Sequence, residues 1–202
     1  MIVIVDYGIG NLGSVHNMLR RIGAKSCISA DPDVVAGADK VIIPGVGAFD
    51  TGMANLAERG LIPALQHAAN ERKVPALGFC LGMQLLVDGS EEGVAAGLGW
   101  IPGRCVRLRP AEGLRVPHMA WNRLEICQPS HPLVQDLGER PRFYFVHSYQ
   151  VVCDDPTDVV AVADYGGPVT AVIARDNVWA TQFHPEKSHK FGMALLGNFV
   201  RA

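Results

Sequence analysis

An α/β fold is predicted: a mixed, mostly parallel sheet with helices on both faces. Three observations predict it. The first half alternates short apolar runs with stretches of helical periodicity. Those runs are continuously apolar, as in strands buried on both faces. The second half turns to short strand patterns and closes on an amphipathic helix. With 202 residues, one domain over 1–202 is expected, since a typical domain is roughly 150 residues.

Residues 2–6 are a first buried strand. Leu12, Val15, Leu19 and Ile22 then recur at helical spacing, and Gly23 sits where that helix would end. Residues 40–43 are a second strand, stopped by Pro44-Gly45. A helical stretch covers 53–70, interrupted near Gly60. Residues 74–79 are a third strand, and 83–88 open another helix. Further on, 103–108, 123–126, 143–146, 149–153 and 159–163 read as strands. Residues 171–173 and 179–183 flank Arg175-Asp176-Asn177, a hairpin turn. Phe191, Leu195 and Phe199 mark the closing helix.

Composition narrows the function. Hydrophobic residues make up 49% and charged ones 19%, the balance of a folded globule rather than a disordered chain. A net charge of -2 leaves no positive excess for nucleic acid. No apolar run approaches the roughly 20 residues that a membrane helix needs. The five cysteines are odd in number and widely spaced, with no CxxC pair. Neither a disulfide framework nor a metal site is expected. The apolar start at 1–5 is too short for a signal peptide, so a reduced, cytoplasmic protein is expected. Cys105, Cys127 and Cys153 are expected in the core; His16, His67, His131 and His189 on the surface.

Residues 8–13, GIGNLG, spell GxGxxG between a strand and a helix, with Asp31 and Asp33 roughly 20 residues on. We read these glycines as a tight turn with close helix packing rather than a dinucleotide site. A chain this short has little room for a substrate lobe.

A second motif carries chemistry. Gly78-Phe79-Cys80-Leu81-Gly82 follows an apolar strand and precedes a helix. This is the cysteine form of a nucleophile elbow. The turn is sharp, so a side chain at either glycine would collide with the neighbouring backbone. Cys80 sits at a helix start, where the partial positive charge favours thiolate. The Leu81 amide is a natural oxyanion donor.

Phe183-His184-Pro185-Glu186 is a third motif. In an extended segment, residues two apart share a side, so Glu186 can hold the His184 ring while its other nitrogen faces a thiol. Nucleophile, base and orienting acid are then Cys80, His184 and Glu186. Pro44-Gly45-Val46-Gly47 lies at the carboxyl end of a strand, where open α/β sheets bind ligands. A glycine-flanked peptide there could turn an amide toward a reacting oxygen, or be an ordinary strand-to-helix turn.

The chain resembles the class I glutamine amidotransferases, most closely the glutaminase subunits of imidazole glycerol phosphate synthases. The resemblance runs nearly end to end. It rests on DYGIGNL at 6–12, PGVGAF at 44–49, GFCLGMQLL at 78–86 and GLGWIPG at 97–103. It continues through PHMAWN at 117–122, FVHSY at 145–149 and QFHPEKS at 182–188. It implies hydrolysis of glutamine to glutamate and ammonia through a thioester on Cys80, with no cofactor. Val46 or Gly47 would supply a second oxyanion amide, turned inward when a partner and its ligand favour that form. Gln84, His147, Ser148 and Tyr149 would contact glutamine. The implied partner is a cyclase with a (β/α)₈ barrel, joined in a heterodimer. It would use the ammonia to form imidazole glycerol phosphate and the aminoimidazole carboxamide ribotide in histidine biosynthesis. Trp121 would anchor the interface, with Asn11 and Met119. The alternatives are a glutaminase subunit of another synthase (pyridoxal phosphate or anthranilate) and a non-catalytic regulatory scaffold. In one departure, Ala120 stands where the family pattern has Gly. It would be strained if that position required a positive φ.

Overall fold

The computed structural model describes residues 1–202. Its strands are β1 (Ile2–Val5), β2 (Ser26–Ser29), β3 (Lys40–Gly45), β4 (Ala76–Cys80), β5 (Gly89–Ser90), β6 (Gly103–Arg107) and β7 (His118–Arg123). They continue with β8 (Glu125–Ile126), β9 (Arg142–His147), β10 (Tyr149–Cys153), β11 (Val159–Asp164), β12 (Pro168–Arg175) and β13 (Val178–Thr181). Its α-helices are α1 (Leu12–Arg21), α2 (Pro32–Ala36), α3 (Phe49–Glu58), α4 (Leu61–Gln66), α5 (Leu81–Gln84) and α6 (His189–Arg201).

Eight strands form one sheet in the order β2-β1-β3-β4-β13-β12-β11-β8. The strands from β2 to β13 in that order run parallel; β12, β11 and β8 continue antiparallel. Strand periodicity divides the core in two. Val3, Val5, Val41, Ile43 and Ala180 face α3 and α4, packing with Phe49, Leu56, Leu61 and Leu65. Ile2, Ile4, Ile42, Leu77, Phe79 and Trp179 face α1 and α6, packing with Val15, Leu19, Leu195 and Phe199. Both sheet faces are therefore covered, as the uninterrupted apolar runs require. Each large aliphatic or aromatic side chain so buried contributes about 1.5–3 kcal/mol. No helix is long and apolar enough to cross a membrane.

Register sets the site. Gly45 pairs with Cys80, and Thr181 pairs with Phe79. The carboxyl ends of β3, β4 and β13 thus lie side by side on one sheet edge. The chain segments that leave them carry Val46, Leu81 and His184.

Several elements differ from the sequence expectation. The helix expected at 83–88 is a single turn, α5. The carbonyls that would continue it are taken by a later loop: Leu98 N donates to Leu85 O, Trp100 N to Leu86 O and Gly99 N to Val87 O. Strand β3 does not stop at Pro44. Pro44 and Gly45 stay in register with Phe79 and Cys80. The helical stretch starts at Phe49, breaks at Gly60 (φ +67°) and ends in a π-turn at His67–Glu71. Strand 123–126 is divided between β7 and β8. Unexpected were β2 and the short α2, whose start is capped by the Asp31 carboxylate on the Asp33 amide with Pro32 next in line.

At the GxGxxG segment, Gly8 and Gly10 hold φ of +87° and +111°. A Cβ on Gly13 would meet nothing within 4 Å. The tight turn is present; close packing at the third glycine is not. Cys105 is buried, but Cys127 is exposed and Cys153 half-buried. Cys127 lies just past the two-residue β8, beyond the ladder that buries a strand. His131 is not a free surface group. Its Nδ1 accepts from Leu133 N and its ring packs edge-on to Trp179, and burial lowers its pKa.

Candidate active site

Cys80 ends β4 with φ 51° and ψ -106°, a positive-φ conformation that costs a non-glycine residue about 1–3 kcal/mol. The glycines around it permit the turn. A Cβ on Gly82 would lie 1.8 Å from the Ile43 carbonyl oxygen, and one on Gly78 would lie 2.6 Å from that of Gly82. The elbow is held open for the thiol by two positions that accept no side chain.

His184 lies three residues past β13. Its backbone N donates to Tyr144 O at 3.0 Å, and its carbonyl accepts from the Ser188 hydroxyl at 2.6 Å. Ser188 Oγ in turn accepts from Tyr144 N. The ring Nδ1 meets Glu186 Oε1 at 2.8 Å, with both side chains buried. Glu186 reaches the ring through a 3₁₀ turn at Pro185–Lys187, not by the extended alternation expected. Proline at the first position of that turn favours it. Nε2 is buried without a hydrogen-bond partner. Burial opposes the charged ring, yet Cys80 and Glu186 together outweigh it and raise the His184 pKa to about 9.

Cys80 and His184 line one pocket of about 440 Å³ with Val46, Gly47, Leu81, Gln84, Glu92, Pro117, Val146, His147, Ser148 and Tyr149. Every residue expected to be catalytic, oxyanion-holding or substrate-binding lies on this wall, except Glu186, which stands behind His184. Val46 and Gly47 form its exposed rim. Gly47 takes φ +117° with open space around it. Gln84 Nε2 donates to Tyr149 O at 3.1 Å and to Gln182 Oε1 at 3.3 Å. The Tyr149 carbonyl also faces His147 Nδ1 at 2.8 Å, and His147 Nε2 meets His118 Nδ1 at 3.1 Å. Burial lowers the pKa of His147 to about 3 and of His118 to about 4. Both rings are neutral near pH 7.

The family profile described as "Glutamine amidotransferase class-I" matches residues 3–202. The chain belongs to this family. Among glutamine amidotransferases it is 54% identical over 200 residues to the "Imidazole glycerol phosphate synthase subunit HisH" of Synechococcus elongatus, covering 98% of this chain and 92% of the relative. It is 50% identical to "HisH 2" of Pseudomonas aeruginosa, covering 99% and 98%. Solved structures agree on the fold. PurLQS from Thermotoga maritima superposes with TM-score 0.75 at 20% identity, covering 99% of this chain and 97% of that one. The glutaminase domain of Trypanosoma brucei CTPS gives 0.63 at 15% identity, covering 99% and 93%.

Beyond the pocket, this amidotransferase presents an outer strand. In β7, His118 is buried while Met119 and Trp121 are 60% and 43% exposed. The Trp121 ring lies parallel to His189 at 5.4 Å, with the Arg142 guanidinium 5.8 Å from its centre. Asn11 is exposed on a separate element, before α1. Ala120 sits within the β7–β9 ladder opposite Phe145 and is not among the positive-φ residues, so the conditional strain does not arise.

Sequence reading missed Glu92, Pro117, Val146 and Gln182. Gln182 is fully buried, with Nε2 3.8 Å from Cys80 Sγ. Its only signal was its place beside the HPE motif.

Proposed function

We propose that this chain is the glutaminase subunit of an imidazole glycerol phosphate synthase and acts through Cys80, His184 and Glu186. The observation that carries the reading is a thiol at a strained elbow sharing a pocket with an imidazole braced by a carboxylate 2.8 Å away.

The Cys80 sulfur attacks the side-chain amide carbon of glutamine. The oxyanion is received by the Leu81 amide and by an amide of the Val46-Gly47 segment; each such donor is worth about 3 kcal/mol in the transition state. Protonated His184 gives its proton to the departing ammonia, leaving a γ-glutamyl thioester. Acylation removes the negative partner that raised the imidazole pKa, so the same ring becomes a base for water. Water, giving one proton to His184, attacks the thioester; the carbon–sulfur bond breaks with its electron pair left on the sulfur, the second proton leaves to solvent and the product is the carboxylate. Gln84, His147, Ser148 and Tyr149 hold the substrate.

Free ammonia would be protonated in water, so a dry route to a second active site is needed. The partner is a (β/α)₈-barrel cyclase docked on the face carrying Trp121, Met119 and Asn11. It makes imidazole glycerol phosphate in histidine biosynthesis. With Val46 and Gly47 on an unpacked rim, the liganded partner shifts the segment toward the inward amide.

The test is glutamate release from glutamine, with and without the liganded cyclase. Wild-type release rises with the partner, and Cys80→Ala removes it by about 10⁴-fold or more. Release retained by Cys80→Ala, or equal release with and without partner, refutes the corresponding part.

A further inference from the structure

We propose that Gln182 is a further catalytic residue, a hydrogen-bond donor that supports the Cys80 sulfur as thiolate; the role rests on the glutaminase reading above.

The geometry follows from register. Thr181 pairs with Phe79, so the next residues, Gln182 and Cys80, come side by side at the sheet edge. The Gln182 backbone N is committed to Ala171 O. The side-chain orientation follows from donor and acceptor inventory. The Tyr149 carbonyl can only accept, so Gln84 must present its NH₂ there. The same NH₂ reaches Gln182, which must therefore offer its oxygen. The Gln182 NH₂ is left facing the sulfur at 3.8 Å. A polar amide buried at this point is explained by the sulfur it points at, since burying an amide without partners is unfavourable.

A neutral thiol is a weak acceptor; a thiolate makes a charge-assisted bond. Gln182 thus favours the attacking form of the enzyme and releases nothing itself. It acts a second time when water expels the γ-glutamyl group. The carbon–sulfur bond breaks with its electron pair going to sulfur, and the same NH₂ meets the new charge. Other ionisable groups around the sulfur are Tyr7, His184 with Glu186 behind it, His147 and Glu92. All of them stay in place in the variants below.

The experiment measures the rate of Cys80 alkylation by iodoacetamide against pH, read on the Cys80 peptide by mass spectrometry, for wild type, Gln182→Leu and Gln182→Met. Both variants keep side-chain bulk and lose the donor. The expected result is a midpoint raised by about one pH unit, a tenfold loss of thiolate at pH values below the wild-type midpoint. Glutamate release falls in parallel. A folded variant with the wild-type midpoint overturns the role. Should neither variant fold, ¹⁵N-glutamine-labelled wild type decides. The Gln182 side-chain amide resonance moves with the thiol titration and loses that movement in Cys80→Ala. A resonance that does not follow the thiol overturns the role. Normal alkylation without glutamate release, even with the partner, instead overturns the glutaminase reading.

Discussion

At the scale of single residues, the elbow leaves the least freedom. The Gly82 position faces the Ile43 carbonyl directly, so the backbone of β3 limits what can follow Cys80. Gly82→Ala should destabilise the fold by about 4 kcal/mol or more, or prevent folding; denaturant unfolding measures it. His184 has a folded pKa of about 9 against an ordinary 6.5. A raised pKa means that the folded state holds the extra proton. The stability it brings is complete below pH 6.5 and is lost as pH rises through about 9. Glu186→Gln should therefore cost about 1.5–3 kcal/mol near pH 6, the worth of a hydrogen bond to a charged group. At pH 10, where the ring is neutral, it should cost less. Urea unfolding at the two pH values tests that ordering.

At the scale of elements, legibility followed locality. The strand–Cys–turn unit and the HPE segment lie within a few residues, so their chemistry could be read from the string. The length of α5 could not, because its carbonyls are captured by a loop more than ten residues away. Gln182 stayed hidden for the same reason: its partner is 102 residues distant and is set by strand register. The β7 strand was read only at its tail, since Pro117 disguises its start. Its outer face carries a testable consequence. Trp121 is exposed: its ring stacks parallel to His189, meets Tyr144 edge-on and lies under the Arg142 guanidinium, with no core side chain against it. Trp121→Ala should leave the melting temperature nearly unchanged and weaken cyclase binding by about 2 kcal/mol or more, the range of an interface hot spot. Calorimetric titration of the cyclase checks it; unchanged affinity would remove Trp121 from the docking face.

At the scale of the whole molecule, a neutral histidine pair links the pocket to the outer strand. His118 lies between the rings of Phe145 and Tyr165, and Asn122 Nδ2 meets its Nε2. The folded pKa values of His118 and His147, about 4 and about 3, lie below the ordinary 6.5. Unfolding in acid therefore takes up protons. The contribution of this pair is present above pH 6.5 and is lost as pH falls toward 4 and 3. His118→Phe keeps the stacking and should unfold with about one fewer proton taken up near pH 5, visible as a shallower fall in denaturant midpoint between pH 6.5 and 4. The overall α/β architecture was legible because two opposed cores bury both faces of every central strand and so make each one continuously apolar. The antiparallel extension was legible only in outline, because exposed and half-buried positions at the ends of β12 and β11 dilute the apolar signal, so that of Pro168–Arg175 only 171–173 read as strand.

Strand β9 carries a ladder to β7 along one edge and, on its other side, a bridge from Tyr144 to His184. Side chains alternate along it, and His147 lines the pocket. Inserting or deleting a single residue between 144 and 147 would point His147 to the opposite side, and no compensating substitution could restore both pairings. Lineages related to this chain should therefore vary in length at 138–140, where the backbone is exposed, and keep the spacing of 144–147 unchanged.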